Sequence, residues 1–245
     1  FIRMKMIKLD AIDSTNSYLK KLLNKENLDD FTVVISKNQT KGKGRNGNIW
    51  ENEPNLNLAF SIYKRFKNLS INERFMLNVL SSVSVYEVLT KYNLFNLTIK
   101  WPNDIMSENK KISGILIENN IRGNKINYTI IGIGININQT SFKNLPNATS
   151  IFIEKGVKYS VEKIANELVE VFNKNFRYFE RNDSKLFDIY NSVLFRQNIN
   201  SNFITPEMNE FKGKIVSVNK KGILTIKQKN QENLEYKEDE IKMKI

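Results

Sequence analysis

A polar interruption between two apolar runs near the middle of the chain constrains its fold more than any other stretch. The apolar residues 97–99 lead into Lys-Trp-Pro-Asn-Asp at 100–104, whose proline ends a strand because it cannot donate to a sheet ladder. Asn103 and Asp104 favour a turn, and a second apolar run covers residues 111–118. The pattern predicts two buried strands whose ends present polar side chains to a pocket. An ordinary strand, turn and strand with a basic surface loop fits these residues equally well.

The composition restricts the chemistry that such a pocket can perform. The 245 residues include no cysteine and no histidine. Disulfides, thiolate nucleophiles and cysteine metal sites are therefore excluded, and the usual general base and most zinc sites are absent. Catalysis must rest on Lys, Arg, Asp, Glu, backbone dipoles or a bound cation. The length suits one large domain, or one large and one small domain.

The charge balance is strongly basic, with a net charge of +12. A basic chain can bind nucleic acid, but here the lysines are dispersed beside many asparagines and isoleucines, which favours a dispersed basic surface. No apolar run reaches the ~20 residues of a membrane span, and the N-terminus lacks the apolar segment of a signal peptide. We therefore expect a cytoplasmic protein with no membrane partner.

Hydrophobic periodicity predicts the regular elements. Apolar and β-branched runs predict strands at 6–9, 31–36, 57–63, 112–121 and 125–137. Helical spacing predicts helices through 18–23, 73–89, 161–179 and 184–194, the first capped by Ser14 or Thr15. Short strands then follow at 211–218, 223–228, 234–236 and 241–244. We predict an α+β fold, with a mixed β-sheet and packed helices over 1–198 and a small β-barrel-like module over 199–245.

Two glycine-containing segments are candidates for ligand binding. In the loop at 39–50, glycines alternate with Lys43 and Arg45, so backbone N–H groups and cations can surround an anion. It is not a P-loop, and a mobile surface loop is the alternative. Its Trp50 could stack on a base or anchor the loop to the core. Glycines at 132 and 134, within a buried strand, mark a place where a ligand or another backbone comes close.

Four separated blocks of residues combine into one pattern. They are Ser14-Thr15-Asn16, the glycine-rich loop ending in Trp50, residues 100–104 with 111–118, and Gly132-Ile133-Gly134-Ile135-Asn136. In this order they resemble the biotin protein ligase family over nearly the whole chain, and the third block is the most specific. The resemblance implies a class II synthetase-like mixed sheet with packed helices, followed by a C-terminal SH3-like β-barrel.

The resemblance also implies a reaction in two halves. The carboxylate of biotin attacks the α-phosphate of ATP, which carries Mg²⁺, and gives biotinyl-5′-AMP and pyrophosphate. A lysine amine of a biotin carboxyl carrier protein, part of an acetyl-CoA or pyruvate carboxylase, then displaces AMP. Such chemistry suits a chain without histidine or cysteine, because positioning and cations drive it and no protein nucleophile is needed.

Motif position implies a role for each site residue. Lys111 is expected to stabilise charge at the carboxylate and α-phosphate, and Asp104 to orient or deprotonate the incoming amine. Arg45 and Lys43 are expected to hold the phosphates, and Trp50 to support the adenine side. Ser14, Thr15, Asn16 and Gln39 are expected to contact biotin, and Asn136 to bond the adenine or ribose. The remaining predicted binding residues are glycines that allow the backbone to come close to the ligand or that form the loop: Gly42, Gly44, Gly114, Gly132 and Gly134. The metal ligands remain unassigned.

The chain departs from the family pattern in the glycine-rich loop. Lys43 and Asn48 stand where arginines are usual, so fewer guanidinium groups can retain the adenylate, and residues 51–57 lack the usual Ser-Pro and Gly. Because only a short segment precedes Ser14 in this sequence, we expect no DNA-binding winged helix of the kind that some members carry. We therefore expect a ligase without a built-in repressor and without a DNA partner. The resemblance leaves monomer and homodimer both open.

Other functions predict different residues. A lipoate-type ligase shares the fold and the adenylation step, but its expected signature contains histidine, and this chain has none. Related acyltransferases with a cysteine nucleophile are excluded by the lack of cysteine. A nucleic-acid-binding protein would place aromatic and basic residues on one face, whereas here they are scattered. A catalytically inactive effector-binding protein would not need Lys111, Arg45 and Asp104 together.

Overall fold

The computed structural model describes residues 5–143, 145–229 and 232–244, and its larger β-sheet has seven strands in this part of the chain. The strands are β1 (Met6–Ile12), β2 (Val33–Gln39), β3 (Leu58–Ser70), β4 (Leu97–Lys100), β5 (Asp104–Ser107), β6 (Lys110–Arg122) and β7 (Lys125–Ile135). Their order is β1-β2-β3-β7-β6-β5-β4. β1 and β2 are parallel, and the remaining neighbours are antiparallel. The predicted mixed sheet is therefore confirmed.

Helices cover both faces of this sheet. They are α1 (Thr15–Leu23), α2 (Arg74–Thr90), α3 (Ile151–Lys155), α4 (Val161–Glu180) and α5 (Lys185–Ser192). Because side chains alternate along a strand, Phe60 and Tyr63 of β3 point to opposite faces. Phe60 stacks on Phe172 of α4 with ring centroids 6.2 Å apart, whereas Tyr63 packs in a second cluster with Leu19 of α1. Helix α1 therefore packs on one face of the sheet, and the larger hydrophobic core lies on the opposite face.

The central motif differs from its predicted turn. Asp104 begins β5, where it pairs with Lys100 on β4 and Gly114 on β6, so the turn is limited to residues 101–103. A strand of only four residues, Asp104–Ser107, is too short to show a clear alternation in the sequence. A residue of helix α5 stabilises this turn, because the Tyr190 hydroxyl donates a hydrogen bond to the Pro102 carbonyl at 3.2 Å.

The C-terminal strands form a second, five-stranded antiparallel sheet. They are β8 (Asn200–Ile204), β9 (Glu210–Val218), β10 (Leu224–Lys227), β11 (Asn233–Tyr236) and β12 (Lys242–Met243), in the order β11-β10-β9-β8-β12. The predicted closed barrel is wrong, since β11 and β12 lie at opposite edges and do not pair in the described part of the chain. Closing a sheet into a barrel requires tilted strands with a fixed stagger of register. Here the two edge strands that would have to meet have only four and two residues. Strand β8 and helix α3 were not predicted.

The two sheets share one hydrophobic core. Phe203, Ile215 and Leu224 of the smaller sheet belong to the same buried cluster as Phe75 of α2 and Tyr190 of α5. The predicted division between residues 198 and 199 falls just before β8 and remains a prediction. Among the described helices, none combines the length and the apolar character needed to cross a membrane.

Candidate functional site

A cavity of about 500 Å³ lies between the larger sheet and the C-terminal sheet. Its wall includes the start of α1, the loop at 39–50, the turn at 101–103 and parts of β6 and β7. The C-terminal sheet contributes apolar side chains, among them Phe203 and Met243. The volume is within the range of roughly 300–1,000 Å³ that small-molecule sites occupy.

One end of the cavity is lined by neutral polar side chains. Gln39 Oε1 accepts a hydrogen bond from the Thr15 backbone nitrogen at 2.8 Å and lies 3.1 Å from the Thr15 hydroxyl oxygen. Ser61 Oγ, fully buried on β3, lies 2.7 Å from Thr15 Oγ1 and 2.5 Å from Asn16 Oδ1. Ser14 occupies the N-cap position of α1, but its side chain makes no capping hydrogen bond and lines the cavity instead.

Glycines on β6 and β7 make room for side chains that enter the cavity. Gly114 and Gly134 are paired across the two strands, and the indole of Trp50 lies against them. A Cβ atom at Gly114 would lie 2.9 Å from Cζ3 of Trp50, and one at Gly134 would overlap the ring. A Cβ atom at Gly132 would overlap the amide of Asn16. The three glycines therefore leave the space that the side chains of Trp50 and Asn16 occupy in the cavity wall.

The glycine-rich loop places Arg45 over the cavity. Arg45–Gly47 forms a single 3₁₀ turn, in which Asn46 and Gly47 have positive φ angles of 52° and 77°. Lys43 donates to Ser17 Oγ at 3.0 Å and forms an antiparallel bridge with Ile49, which ties the two ends of the loop. This conformation explains the glycine at position 47, because only glycine adopts such a φ without steric cost.

Arg45 is held by polar partners from two directions. Its Nη1 donates to Asn103 Oδ1 at 3.2 Å, and the guanidinium forms an ion pair with Glu238 of the C-terminal segment. Burial lowers the pKa of Arg45, while the carboxylates of Asp239 and Asp104 act in the opposite direction. The guanidinium remains available as a cation, because arginine is not deprotonated in folded proteins.

A second part of the cavity lining, beside Gly114, is cationic, and we refer to it as the cationic end. Lys111 Nζ lies 2.7 Å from Asp104 Oδ1 and 5.6 Å from the centroid of the Trp50 ring. Lys100 and Lys242 line the same wall. Burial lowers the pKa of Lys100 below its ordinary value; Asp104 opposes this effect, and Lys111 and Lys242 add to it. Several cations therefore face one space, an arrangement suited to a polyanionic ligand.

The structure brings most of the predicted site residues together. Those that line the cavity are Ser14, Thr15, Asn16, Gln39, Lys43, Gly44, Arg45, Trp50, Asp104, Lys111, Gly114, Gly132 and Gly134. Gly42 is buried against the Trp50 backbone. Asn136 is buried outside the lining, and its Nδ2 donates to the Thr149 carbonyl at 3.0 Å. The individual roles of these residues remain predictions.

The sequence analysis missed three residues that line the cavity, and it missed Ser61, which lies behind the lining and contacts Thr15 and Asn16. Lys100 belongs to the central motif but received no role. Ser61 interrupts the apolar run at 58–63 in the first half of β3, which is a usable signal. Lys242 of β12 and Glu238 of the segment between β11 and β12 line the cavity, and no local pattern marks them. In the described ranges, no group of three or more metal-ligating side chains is arranged to hold an ion.

A family model described as the biotin/lipoate A/B protein ligase family matches residues 9–136, which is more than half of the chain. The chain belongs to the biotin/lipoate A/B protein ligase family. Among its relatives is the bifunctional ligase/repressor BirA of Bacillus spizizenii, 28% identical over 90% of this chain and 69% of that protein. The biotin–[acetyl-CoA-carboxylase] ligase of Paracoccus denitrificans is 30% identical over 53% of each chain.

Solved structures agree with the sequence matches. A biotin protein ligase from Aquifex aeolicus, in complex with biotin and ATP, superimposes with a TM-score of 0.81 at 25% identity and covers 98% of both chains. The family, the relatives and the fold therefore identify the enzyme as a biotin protein ligase.

Proposed function

We propose that this ligase activates biotin with ATP and transfers it to a lysine of a biotin carboxyl carrier protein. In the first half-reaction a biotin carboxylate oxygen bonds to the α-phosphorus, and the bond to the pyrophosphate leaving group breaks. In the second, the lysine nitrogen bonds to the carbonyl carbon of biotinyl-5′-AMP and loses a proton, and AMP leaves. The relatives named as biotin ligases, and the Aquifex structure with biotin and ATP, support these substrates.

The observation that carries the proposal is the polarity of the cavity. Its neutral end, at Thr15, Asn16 and Gln39, suits the uncharged ureido ring of biotin, whose N–H and C=O groups need polar partners. Its cationic end, with Arg45 and Lys111, suits the phosphates. Biotinyl-5′-AMP has the same order of groups, with the ring at one end and the phosphate further along the molecule.

Lys111 is the residue that we assign to stabilising the first transition state. Its ammonium is held at 2.7 Å by Asp104, so it is oriented before the substrates arrive. A preorganised cation facing developing negative charge is usually the largest single contribution to such catalysis. Arg45 lies above the same space, and closure of its loop would exclude water from the hydrolysable adenylate.

Asp104 is the residue that we assign to the second half-reaction. Its carboxylate lines the cavity between the cations and is partly exposed, with 21% of the side chain accessible. A carboxylate there can accept a hydrogen bond or a proton from the incoming lysine amine. We propose Mg²⁺ as the ion of the nucleotide, since Mg²⁺ is bound mainly by phosphates, water and one or two carboxylates. Asp104 and Asp239 line the cavity within which that ion would arrive.

The carrier protein and the cellular compartment are parts of the same proposal. The relative named after acetyl-CoA carboxylase supports a carboxylase carrier domain as the acceptor. We propose the cytoplasm as the compartment, in keeping with a sequence free of cysteine. Whether one chain or two form the active species is measurable by analytical ultracentrifugation with and without the adenylate.

The first half-reaction gives the decisive experiment. Wild-type protein is expected to exchange labelled pyrophosphate into ATP only when biotin is present, and to ignore lipoate. Lys111→Ala is expected to lower that exchange at least ~100-fold, because it removes the central cation. Lys110→Ala is the matched control, since Lys110 is the exposed neighbour on the same strand. Exchange supported by lipoate, or no exchange with either acid, contradicts the proposal.

A further inference from the structure

A chain of hydrogen bonds connects a surface ion pair to the neutral end of the cavity. Lys20 Nζ lies 2.6 Å from Glu118 Oε1, and the other oxygen of Glu118 accepts from Asn16 Nδ2 at 2.8 Å. Asn16 Oδ1 is 2.5 Å from Ser61 Oγ, which is 2.7 Å from Thr15 Oγ1. We refer to these five residues as the ring-end chain. Three of its members, Lys20, Glu118 and Ser61, do not line the cavity.

The direction of each hydrogen bond follows from the donors and acceptors available. An ionised carboxylate only accepts, so the amide nitrogen of Asn16 faces Glu118 and its oxygen faces Ser61. A hydroxyl has one proton, and Ser61 must give its proton to that oxygen. The contact between Ser61 and Thr15 therefore uses the proton of Thr15.

The ring-end chain thereby fixes what Thr15 offers to a ligand. With its proton committed to Ser61, the Thr15 hydroxyl presents lone pairs to the cavity and acts as an acceptor. The backbone nitrogen of Thr15 already donates to Gln39 Oε1 at 2.8 Å, so that oxygen does not depend on the hydroxyl proton.

Burial keeps this arrangement in place. Ser61 has no exposed surface, and Thr15 and Asn16 are each 3% exposed, so water cannot substitute for a lost partner without a structural change. Gly132 is paired with Ser61 across β3 and β7, and its missing side chain leaves the space that the Asn16 amide occupies.

We propose that Ser61 and Glu118 are positioning residues that set Thr15 as an acceptor for a ring N–H of the substrate. The inference rests on the proposed function, because it assigns the ureido ring to the neutral end of the cavity. It goes further in two respects. It states that Thr15 selects a hydrogen-bond donor on the ring, and it names two residues outside the lining, Ser61 and Glu118, that determine this preference. A ring that lacks an N–H at this point leaves a buried acceptor unpaired.

The first test separates substrate positioning from general stability. Ser61→Ala is expected to raise the dissociation constant for biotin roughly tenfold while the KM for ATP and kcat stay unchanged. Ser61→Thr, which keeps the hydroxyl, is expected to restore most of the affinity. Ser81→Ala is the matched control, since Ser81 is a fully buried serine of α2 whose hydroxyl donates to the Leu77 carbonyl at 2.7 Å. Equal losses for biotin and ATP, or an equal effect of the control, contradict the proposal.

The second test examines the polarity itself, with biotins methylated on one or the other ureido nitrogen. Wild type is expected to bind one of the two analogues much more weakly than biotin. In Ser61→Ala the ratio of the dissociation constant of that analogue to that of biotin is expected to decrease at least about fivefold. The reason is that the Thr15 hydroxyl proton can then rotate toward the ligand. Glu118→Ala is expected to change the ratio in the same direction, since the Asn16 amide can then rotate. An unchanged ratio in both variants overturns this inference alone, whereas wild type that binds no biotin overturns the proposed function.

Discussion

The ammonium nitrogen of Lys111 lies 2.7 Å from the carboxylate of Asp104, and the two residues belong to the adjacent strands β6 and β5. Asp104 pairs with Gly114, and a register shift between Ile105 and Met106 lies next to this pairing. Lys111 is paired with Met106, so the lysine and the aspartate are diagonal neighbours on the two adjacent strands. A cation and a base are thus held together at the cationic end of the cavity.

This ion pair predicts that the two half-reactions can be separated by mutation. Asp104→Asn is expected to keep biotin-dependent pyrophosphate exchange within a few-fold, because Lys111 remains, and to slow transfer to the carrier lysine at least ~100-fold, because the amine loses its base. Both rates are measured with the same preparation. Asp10→Asn is the control, since Asp10 forms an exposed ion pair of the same 2.7 Å length with Lys37. A loss of exchange as large as that of Lys111→Ala would mean that Asp104 acts only by holding Lys111.

The ion pair between Arg45 and Glu238 predicts competition with the nucleotide. A phosphate that binds Arg45 must displace the carboxylate, so Glu238→Gln is expected to tighten ATP binding. About a third of each side chain is exposed, with values of 29% and 32%, and solvent screening keeps the contribution small. The expected gain is about 1 kcal/mol, or roughly fivefold in the dissociation constant measured by calorimetry.

A second glutamate in the same segment provides the control for Glu238. Glu240 is exposed and accepts from the Lys237 backbone nitrogen at 2.7 Å, so Glu240→Gln changes the same charge without touching Arg45. Weaker ATP binding in Glu238→Gln would show instead that the carboxylate orients Arg45 toward the phosphates.

Periodicity predicted the larger sheet well because its strands are long and apolar. β6 and β7 span 13 and 11 residues, enough for their alternation and their glycine-containing hairpin to be visible in the sequence. The four-residue β5 was missed, and the closure of the C-terminal sheet was wrongly predicted. Closure depends on pairing between distant short strands, which no local pattern specifies.

Some residues of the cavity could likewise be predicted from local sequence patterns, whereas others reach it only through tertiary packing. Glycines within a strand predicted a close approach at Gly134, but the sequence could not show that the approaching group is the Trp50 ring. Lys100 and Lys111 lie in one motif, whereas Lys242 joins them only through the packing of the C-terminal sheet. Ser61 is three residues from the nearest charged side chain of its strand, and its importance depends on α1, which lies far away in the sequence.

The lowered pKa of Lys100 predicts a pH effect on nucleotide binding. Burial favours the neutral amine, so Lys100 loses its proton at a lower pH than the ordinary lysine value of 10.5. Between these two pKa values the unfolded chain binds more protons than the folded protein, and this residue's contribution to stability rises with pH. ATP needs the charged form, so its affinity is expected to fall with rising pH before ordinary lysines titrate. Calorimetric titrations of ATP across that pH range measure the fall.

Lys100→Arg is the matched variant for this pH effect. Its guanidinium keeps the charge throughout the range, so the fall in ATP affinity is expected to begin at a higher pH than in wild type. Lys100→Met is expected to bind ATP more weakly at neutral pH, with the difference from wild type closing as the pH rises. The same onset in wild type and Lys100→Arg would show that another group titrates.

The contact between Gly134 and Trp50 predicts non-additive stability changes. Gly134→Ala places a methyl group inside the volume of the Trp50 ring and is expected to destabilise the fold by about 1–3 kcal/mol. In a Trp50→Ala background that volume is empty, so the penalty should largely disappear, giving a coupling of at least ~1 kcal/mol in urea unfolding. Gly213→Ala is the control, because its methyl group would meet Ile226 in the C-terminal sheet, and its cost should add to that of Trp50→Ala. If the losses of unfolding free energy from Gly134→Ala and Trp50→Ala also add, the Trp50 ring does not pack on Gly134 in solution.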